Sequence, residues 1–278
     1  GVYSRHEQFA GRLIWPSLDV IDDDLAPDDA GPGLAWGHGT HVAGIVAVMA
    51  PRAKLLPVRV LDNGGRGNTF LLAYAIEWAV DQGADVINLS LGANSNSRIL
   101  RDAIAAANEA GVVVVAAAGN SGAEQVQYPA AYPDVLGVTA VSFDASAGAF
   151  VKASFANYGA GWVDLAAPGE GIVSAAVSEQ GPGYASWSGT SMSTAFVSGA
   201  SALALQKLRE KAAATDTPAA VAELLIGNGT ELPASGSPWA GKIGRLLDVD
   251  RALVGEQQPD EQPSDLTPRL LYLPALGR

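Results

Sequence analysis

Three short segments carry side chains that could do covalent chemistry. SWSGTSMSTAFVSGA sets Ser191 where a helix opens, and WGHGTHVAGIVA sets His38 at a Gly-flanked turn that also opens a helix. A serine hydroxyl is a poor nucleophile at neutral pH and needs a base within hydrogen-bond reach. Ser and His on separate loops of one sheet edge make such a pair. A helix N-terminus adds free backbone N–H groups and the positive end of a dipole, which favour negative charge such as a tetrahedral oxyanion. The third segment, VVVVAAAGNSG, ends an apolar run with Gly119 and Asn120, and an amide there could donate to the same oxyanion. Together these residue types suit acyl transfer.

Positioning them requires a sheet with connections at one edge. After a loop-dominated lead-in over residues 1–37, strand-like and helix-like patterns alternate. HVAGIVAVMA reads as a helix, KLLPVRVL as a strand, TFLLAYAIEWAVDQG as a helix and DVINLSL as a strand. SNSRILRDAIAAANEAG reads as a helix with Ser and Asn as N-caps and Gly111 as its stop. VVVVAAAG is a continuous apolar run of the kind found in a central parallel strand, and VLGVTAV is a further strand. A turn-rich stretch leads to Gly189, and a long helix starts near Thr190 and runs through SGASALALQKLREK. Strict alternation implies right-handed crossovers and an α/β fold: a doubly wound, mostly parallel sheet with helices on both faces, three layers in all. In such sheets functional residues collect at the carboxyl ends of the strands. The domain closes near Val254. Residues 255–278 read as an acidic, Pro-rich linker, GEQQPDEQPSDLTPR, and a short apolar tail.

Composition narrows the function. With 278 residues, 48% of them hydrophobic and 17% charged, the chain can bury one large core. It has no cysteine, which excludes disulfides, thiolate metal sites and a Cys nucleophile. A net charge of -12 disfavours nucleic acid and anionic lipid as partners. No apolar run approaches the roughly 20 residues of a membrane span, and GVYSRHEQFAGRL lacks a signal peptide's apolar stretch. The lack of an initiating Met leads us to expect a mature or truncated product.

The segments GHGTHVAG, INLSLG, AAAGNSG, AAPG and SGTSM occur in this order, and together they resemble the signature set of the subtilisin-like (subtilase) serine peptidases. The resemblance runs from Gly1 to about Ala252. It implies the subtilisin-like three-layer fold and a serine endopeptidase of broad specificity that acts on proteins or peptides. His38 would be general base and acid, Ser191 the nucleophile, and Asn120 the oxyanion-hole donor beside the Ser191 backbone N–H. Ser90, Leu91 and Gly92 would line the binding cleft, and Gly65, Arg66 and Gly67 would pair with the substrate backbone, a mode that ignores side-chain identity. Ala117, Ala118 and Gly119 would wall the primary pocket, with Gln127 near its base. The chemistry needs no cofactor and the resemblance assigns no metal ligand. It leaves a structural calcium ion open and unassigned, and IVAVMAPRAKLLPV is short where relatives carry a calcium-binding insertion. It also implies a monomer that is secreted or held at the cell surface.

The chain departs from the family pattern at the residue that orients the catalytic His. Gly1 resembles the third residue of the family's Asp-Thr-Gly motif, which puts the triad Asp two positions upstream and the first strand outside the chain. Loss of that Asp costs about 10⁴-fold in turnover in a related triad. The alternative expectation is therefore a catalytically impaired fragment or pseudo-protease that binds peptides as a scaffold. Ala195-Phe196 also stands where the family has Pro-His.

Other polar residues have plainer readings. His41 lies on His38's helix at HxxH spacing, but no third metal ligand is indicated and packing explains it. His6 is expected to be structural. Asn88 is expected to be an amide satisfying backbone groups, and the six Asp between Asp19 and Asp29 a solvated loop. Asp164 has only a weak claim to a cation. An α/β-hydrolase is disfavoured, because no G-x-S-x-G surrounds Ser191 and the His precedes the Ser.

Overall fold

VVVAA over Val113–Ala117 is buried at every residue, so both faces of that strand must be covered. In the computed structural model, which describes residues 1–29, 31–210, 216–232 and 236–254, the cover comes from helices on both sides. The expected linker and tail, 255–278, lie outside the described residues.

In chain order, a short 3-10 turn (Glu7–Phe9) and β1 (Leu18–Asp19) lead to α1 (His38–Met49), β2 (Val58–Arg59), α2 (Thr69–Asp81) and β3 (Val86–Leu89). Then come α3 (Arg98–Glu109), β4 (Val113–Ala117), β5 (Val135–Asp144), β6 (Ala149–Lys152), β7 (Leu165–Pro168), β8 (Ile172–Ser178) and β9 (Gly181–Trp187). The chain continues with α4 (Thr190–Glu210), α5 (Pro218–Asn228), β10 (Arg245–Leu246) and α6 (Val249–Val254). The main sheet has the order β10-β7-β5-β4-β3, parallel throughout, with β6 antiparallel to β5.

Alternation along β4 sorts the core into two layers. Val114 and Ala116 face Leu72 and Ile76 of α2 and Leu100 and Ile104 of α3. Val113 and Val115 face Val197, Ala200 and Leu205 of α4 and Leu225 of α5. Each of the larger aliphatic side chains contributes roughly 1.5–3 kcal/mol on burial. Local signals set the helix ends: Asn68 accepts from Leu71 N at 2.8 Å to open α2, and Thr217 accepts from Ala220 N at 3.2 Å before the N1 proline of α5. At the crossing of α1 and α4, a Cβ on Gly199 would overlap Met49, so only glycine allows the two helices to approach this closely.

Three differences from the sequence expectation stand out. The stretch read as turn-rich, up to Gly189, contains β6, β7 and the β8–β9 hairpin; Gly, Ser and Pro in those strands mask their alternation. KLLPVRVL forms a strand only at Val58–Arg59, with Pro57 just before and an isolated bridge from Leu55 to Leu13, and it joins β1 in a separate two-stranded sheet. The helix α5 was not read at all. Between β2 and β3 lies a cavity of about 1100 Å³, lined among others by Leu56 and Val58 beside β2, Val86 and Ile87 on β3, Ile76 of α2 and Leu205 of α4. Among the described residues no helix is long and apolar enough to cross a membrane.

Candidate active site

His38 is set by the first turn of α1. Gly37 adopts φ 86°, a left-handed conformation that glycine takes freely, and this lets the chain turn into the helix at His38. Asp29 pins the turn, since its carboxylate accepts from Gly37 N at 3.1 Å and from the Thr40 hydroxyl at 2.6 Å. Both Asp29 oxygens are thus engaged away from the imidazole. His38 is half-buried; burial is the first cause that pushes its pKa down, to about 4, and Asp29 works in the opposite direction. The imidazole is neutral at pH 7, the state in which it can accept a proton.

Ser191 is set by the first turn of α4. Ser191 Oγ donates to the Ser90 carbonyl at 3.3 Å, and Ser90 Oγ donates to the Ser191 carbonyl at 2.8 Å, which stitches α4 to the end of β3. Asn88 extends this stitch: its amide donates to Ser90 Oγ at 3.0 Å and its carbonyl accepts from Ser198 Oγ at 2.9 Å. Its partners are therefore side-chain hydroxyls, not the backbone groups expected from sequence. Among the described residues no hydrogen bond joins His38 to Ser191. Their helices are nonetheless neighbours, with Val42 and Ile45 of α1 packed with Met192 and Ala195 of α4.

Asn120 is fixed by Thr190. Its Oδ1 accepts from Thr190 N at 2.9 Å and from Thr190 Oγ1 at 3.0 Å, while Thr190 Oγ1 accepts from Gly119 N at 3.1 Å. Because Thr190 N–H can only donate, the oxygen of Asn120 is identified and its Nδ2 must face the other way. That direction is the space beside Gly189: a Cβ there would sit 3.5 Å from Asn120 Nδ2 and 3.8 Å from Ser191 N. Two nitrogens able to donate, one at a helix N-terminus, thus border one small volume, an arrangement suited to an oxyanion. The loop bearing Asn120 is held from below by buried Asn157, which donates to Ala118 O at 3.0 Å and accepts from Ser121 N at 2.8 Å.

Next to this volume, a Cβ on Gly119 or on Gly92 would overlap the Gln127 side chain, so Gln127 lies across both glycines. Ala117 and Ala118 are buried beneath them. Leu91 is half-buried and Gly92 exposed. At the other margin, Arg66 N donates to Asp62 Oδ1 and Arg66 O accepts from Asp62 N, both at 2.8 Å. Both backbone groups of Arg66 are thus engaged with Asp62, residues 65–67 form no strand, and Gly67 is exposed beside them.

The acidic lead-in is not simply a solvated loop. Asp19 is buried; it accepts from Arg59 at 2.7 Å, and Asp22 accepts from the same guanidinium at 2.5 Å. A cation is therefore already built into the cluster. Among the described residues no group of three or more His, Asp or Glu is arranged to hold a metal ion. Asp164 accepts from Gly137 N at 2.8 Å, and burial raises its pKa. His6 is buried, with Nε2 donating to Gly183 O at 2.8 Å and Nδ1 accepting from Gln8 N at 3.2 Å, a structural role as expected.

The family model described as the subtilase family matches residues 1–240. The chain belongs to the subtilase family. This subtilase is 40% identical over 241 residues to "Thermophilic serine proteinase" of Bacillus sp. (strain AK1), a match covering 83% of this chain and 56% of that protein. It is 39% identical over 243 residues to thermitase of Thermoactinomyces vulgaris, covering 83% of this chain and 81% of thermitase. The chain thus spans little more than half the length of the first relative. Its fold is similar to the crystal structure of a cold-adapted subtilisin-like serine proteinase, with a TM-score of 0.73 and 32% identity over 89% of this chain and 85% of that one.

The sequence reading missed Thr190, Asn157 and Trp187. Thr190 was within reach, since it lies inside SGTSM. Asn157 gave no signal, because its role depends on a contact between loops.

Proposed function

We propose that this subtilase is a serine endopeptidase in which Ser191 attacks the scissile carbonyl carbon while His38 takes the hydroxyl proton. The observation that carries this is that Asn120 Nδ2 and Ser191 N–H border one small volume beside Gly189. They would hold the oxyanion as the carbonyl becomes tetrahedral. His38 then gives its proton to the leaving amine. Water hydrolyses the acyl-enzyme by the reverse proton route. Removing an oxyanion-hole Asn costs roughly 100- to 1000-fold in turnover in subtilisin, and we carry that magnitude to Asn120.

Substrates are proteins or peptides laid between Gly65–Gly67 and Ser90–Gly92, held chiefly by main-chain hydrogen bonds and therefore read broadly. Gln127, lying across Gly92 and Gly119, narrows the primary pocket and gives it a polar wall. The same reading carries a monomeric, exported enzyme with its catalytic unit in residues 1–254, supported by family membership.

The cavity between β2 and β3 bears on the third catalytic group. It is apolar and flanked by a strand on either side, with α2 and α4 covering it from opposite faces. That environment suits one more parallel strand. Gly1 lines the cavity and touches the first turn of α1, since a Cβ on Gly39 would overlap the Gly1 carbonyl. Two residues span about 7 Å. A carboxylate two positions before Gly1 would thus come within reach of His38. No observation favours a peptide-binding scaffold over the enzyme.

The test is hydrolysis of a fluorogenic peptide amide by the chain extended upstream as its gene encodes it. Turnover abolished by Ser191→Ala is the expected result. Turnover that survives Ser191→Ala, or a folded extended chain with none, would overturn the proposal.

A further inference from the structure

We propose that Trp187 is a positioning residue for His38: its indole, held flat by His41, lies near-parallel beside the imidazole, limits its access to water on that side and restricts its tilt. The inference rests on the reading of His38 as the base.

Trp187 ends β9, four residues before Ser191, yet its ring lies on the first turn of α1. It stacks on His41 with centroids 4.9 Å apart and planes 4° from parallel, and it lies 6.4 Å from His38 at 19°. A Cβ on Gly37 would stand 3.4 Å from the benzo ring, so the indole also rests on the backbone immediately before His38.

His41 makes this platform rigid and uncharged. It is fully buried, and its Nε2 lies 3.1 Å from both Ile172 O and Ala185 O, one on β8 and one on β9. Two carbonyl acceptors at Nε2 place the proton there, which leaves Nδ1 as the unprotonated nitrogen; Nδ1 is buried without a partner. A second proton on Nδ1 would find no acceptor, and burial lowers the His41 pKa. His41 therefore stays neutral, anchors α1 to the β8–β9 hairpin and presents a flat face to the indole. The hairpin then runs directly into the turn that carries Ser191, so one aromatic stack links the helix of the base to that of the nucleophile.

Water excluded from one side of an imidazole disfavours its charged form. Among the described residues the titratable side chains near His38 are Asp29, which favours its charged form, and His41 on its own helix, which stays neutral. In the upstream-extended chain Gly1 carries a peptide bond in place of its amino group, and a carboxylate two positions before it would also favour charged His38 in every variant compared. Of these only His41 touches Trp187, and its proton is held on Nε2 by Ile172 O and Ala185 O, which substitution at 187 leaves in place.

The test follows the His38 titration by NMR in the upstream-extended chain carrying Ser191→Ala; the three histidines of residues 1–278 keep the spectrum assignable. Trp187→Ala should raise the His38 midpoint by about one pH unit, and Trp187→Phe by less, because a ring is retained. In the Ser191 enzyme the acid limb of kcat/KM should move up by the same amount. If Trp187→Ala does not fold, Trp187→Leu, which keeps bulk without a flat ring, serves with Trp187→Phe. A midpoint unchanged in these variants, with turnover lowered equally at all pH, overturns the proposal. Failure of the underlying reading looks different: the parent enzyme would then resist fluorophosphonate labelling at Ser191, wherever His38 titrates.

Discussion

The two halves of the site are built in different ways. Ser191 and Asn120 stand at the ends of regular elements, the N-terminus of α4 and the loop after β4, and both elements are buried in the sheet's central core. His38 stands on a helix supported by α4, by β8 of the hairpin and by the lead-in through Phe9, with the cavity alongside. The nucleophile half is rigid through close packing of aliphatic layers. The half that carries His38 adds to its apolar seam with α4 a set of polar and aromatic ties between distant loops: Asp29 on Gly37 and Thr40, Arg59 on Asp19, and Trp187 on His41. Packing tolerates conservative change, whereas a polar tie fails when one partner is removed.

Mutations can break this contrast at several levels. The largest effect is expected at the nucleophile: Ser191→Ala should lower turnover about 10⁶-fold, as in subtilisin, without moving the unfolding midpoint. Next, Asn120→Ala should lower kcat by roughly 100- to 1000-fold with little change in KM, as read by steady-state kinetics. Thr190→Val should lower kcat less, since it frees Asn120 instead of deleting it.

In the base half, Arg59→Met should destabilise the fold by about 3–5 kcal/mol in urea, because Asp19 is left buried and unpaired. Conservative changes such as Val115→Ile should cost less than about 1–3 kcal/mol in the same assay. If Arg59→Met proves neutral, the ties do not hold the base half.

The smallest effect concerns pH. His38 has a folded pKa near 4 against an ordinary value of 6.5, so between those values the unfolded chain binds the extra proton and the folded one does not. Its contribution to stability is present above pH 6.5 and is lost as pH falls toward 4. Replacing His38 with Gln should flatten that part of the stability curve.

This contrast also governs what could be read from sequence. The run VVVVAAAG and the helices around it were legible, because aliphatic periodicity reports burial directly. The positions of His38, Asn120 and Ser191 at the start of α1, after β4 and at the start of α4 were legible because Gly37, Gly119 and Gly189 mark those turns. The base half was much less so. Asp19 and Asp22 looked like solvated acids because their partner, Arg59, lies some forty residues on. The hairpin GPGYASW hides its alternation behind glycines, so Trp187 stood in a segment with no assigned structure. Ties between distant loops leave no local pattern.

The measurement that tests the central claim most directly is the site of fluorophosphonate attachment in the upstream-extended protein, mapped by mass spectrometry. The account predicts one adduct, on Ser191 Oγ with fluoride displaced, formed at a rate that falls steeply in Asn120→Ala and His38→Ala. A folded protein that forms no adduct, or forms it elsewhere, would contradict it.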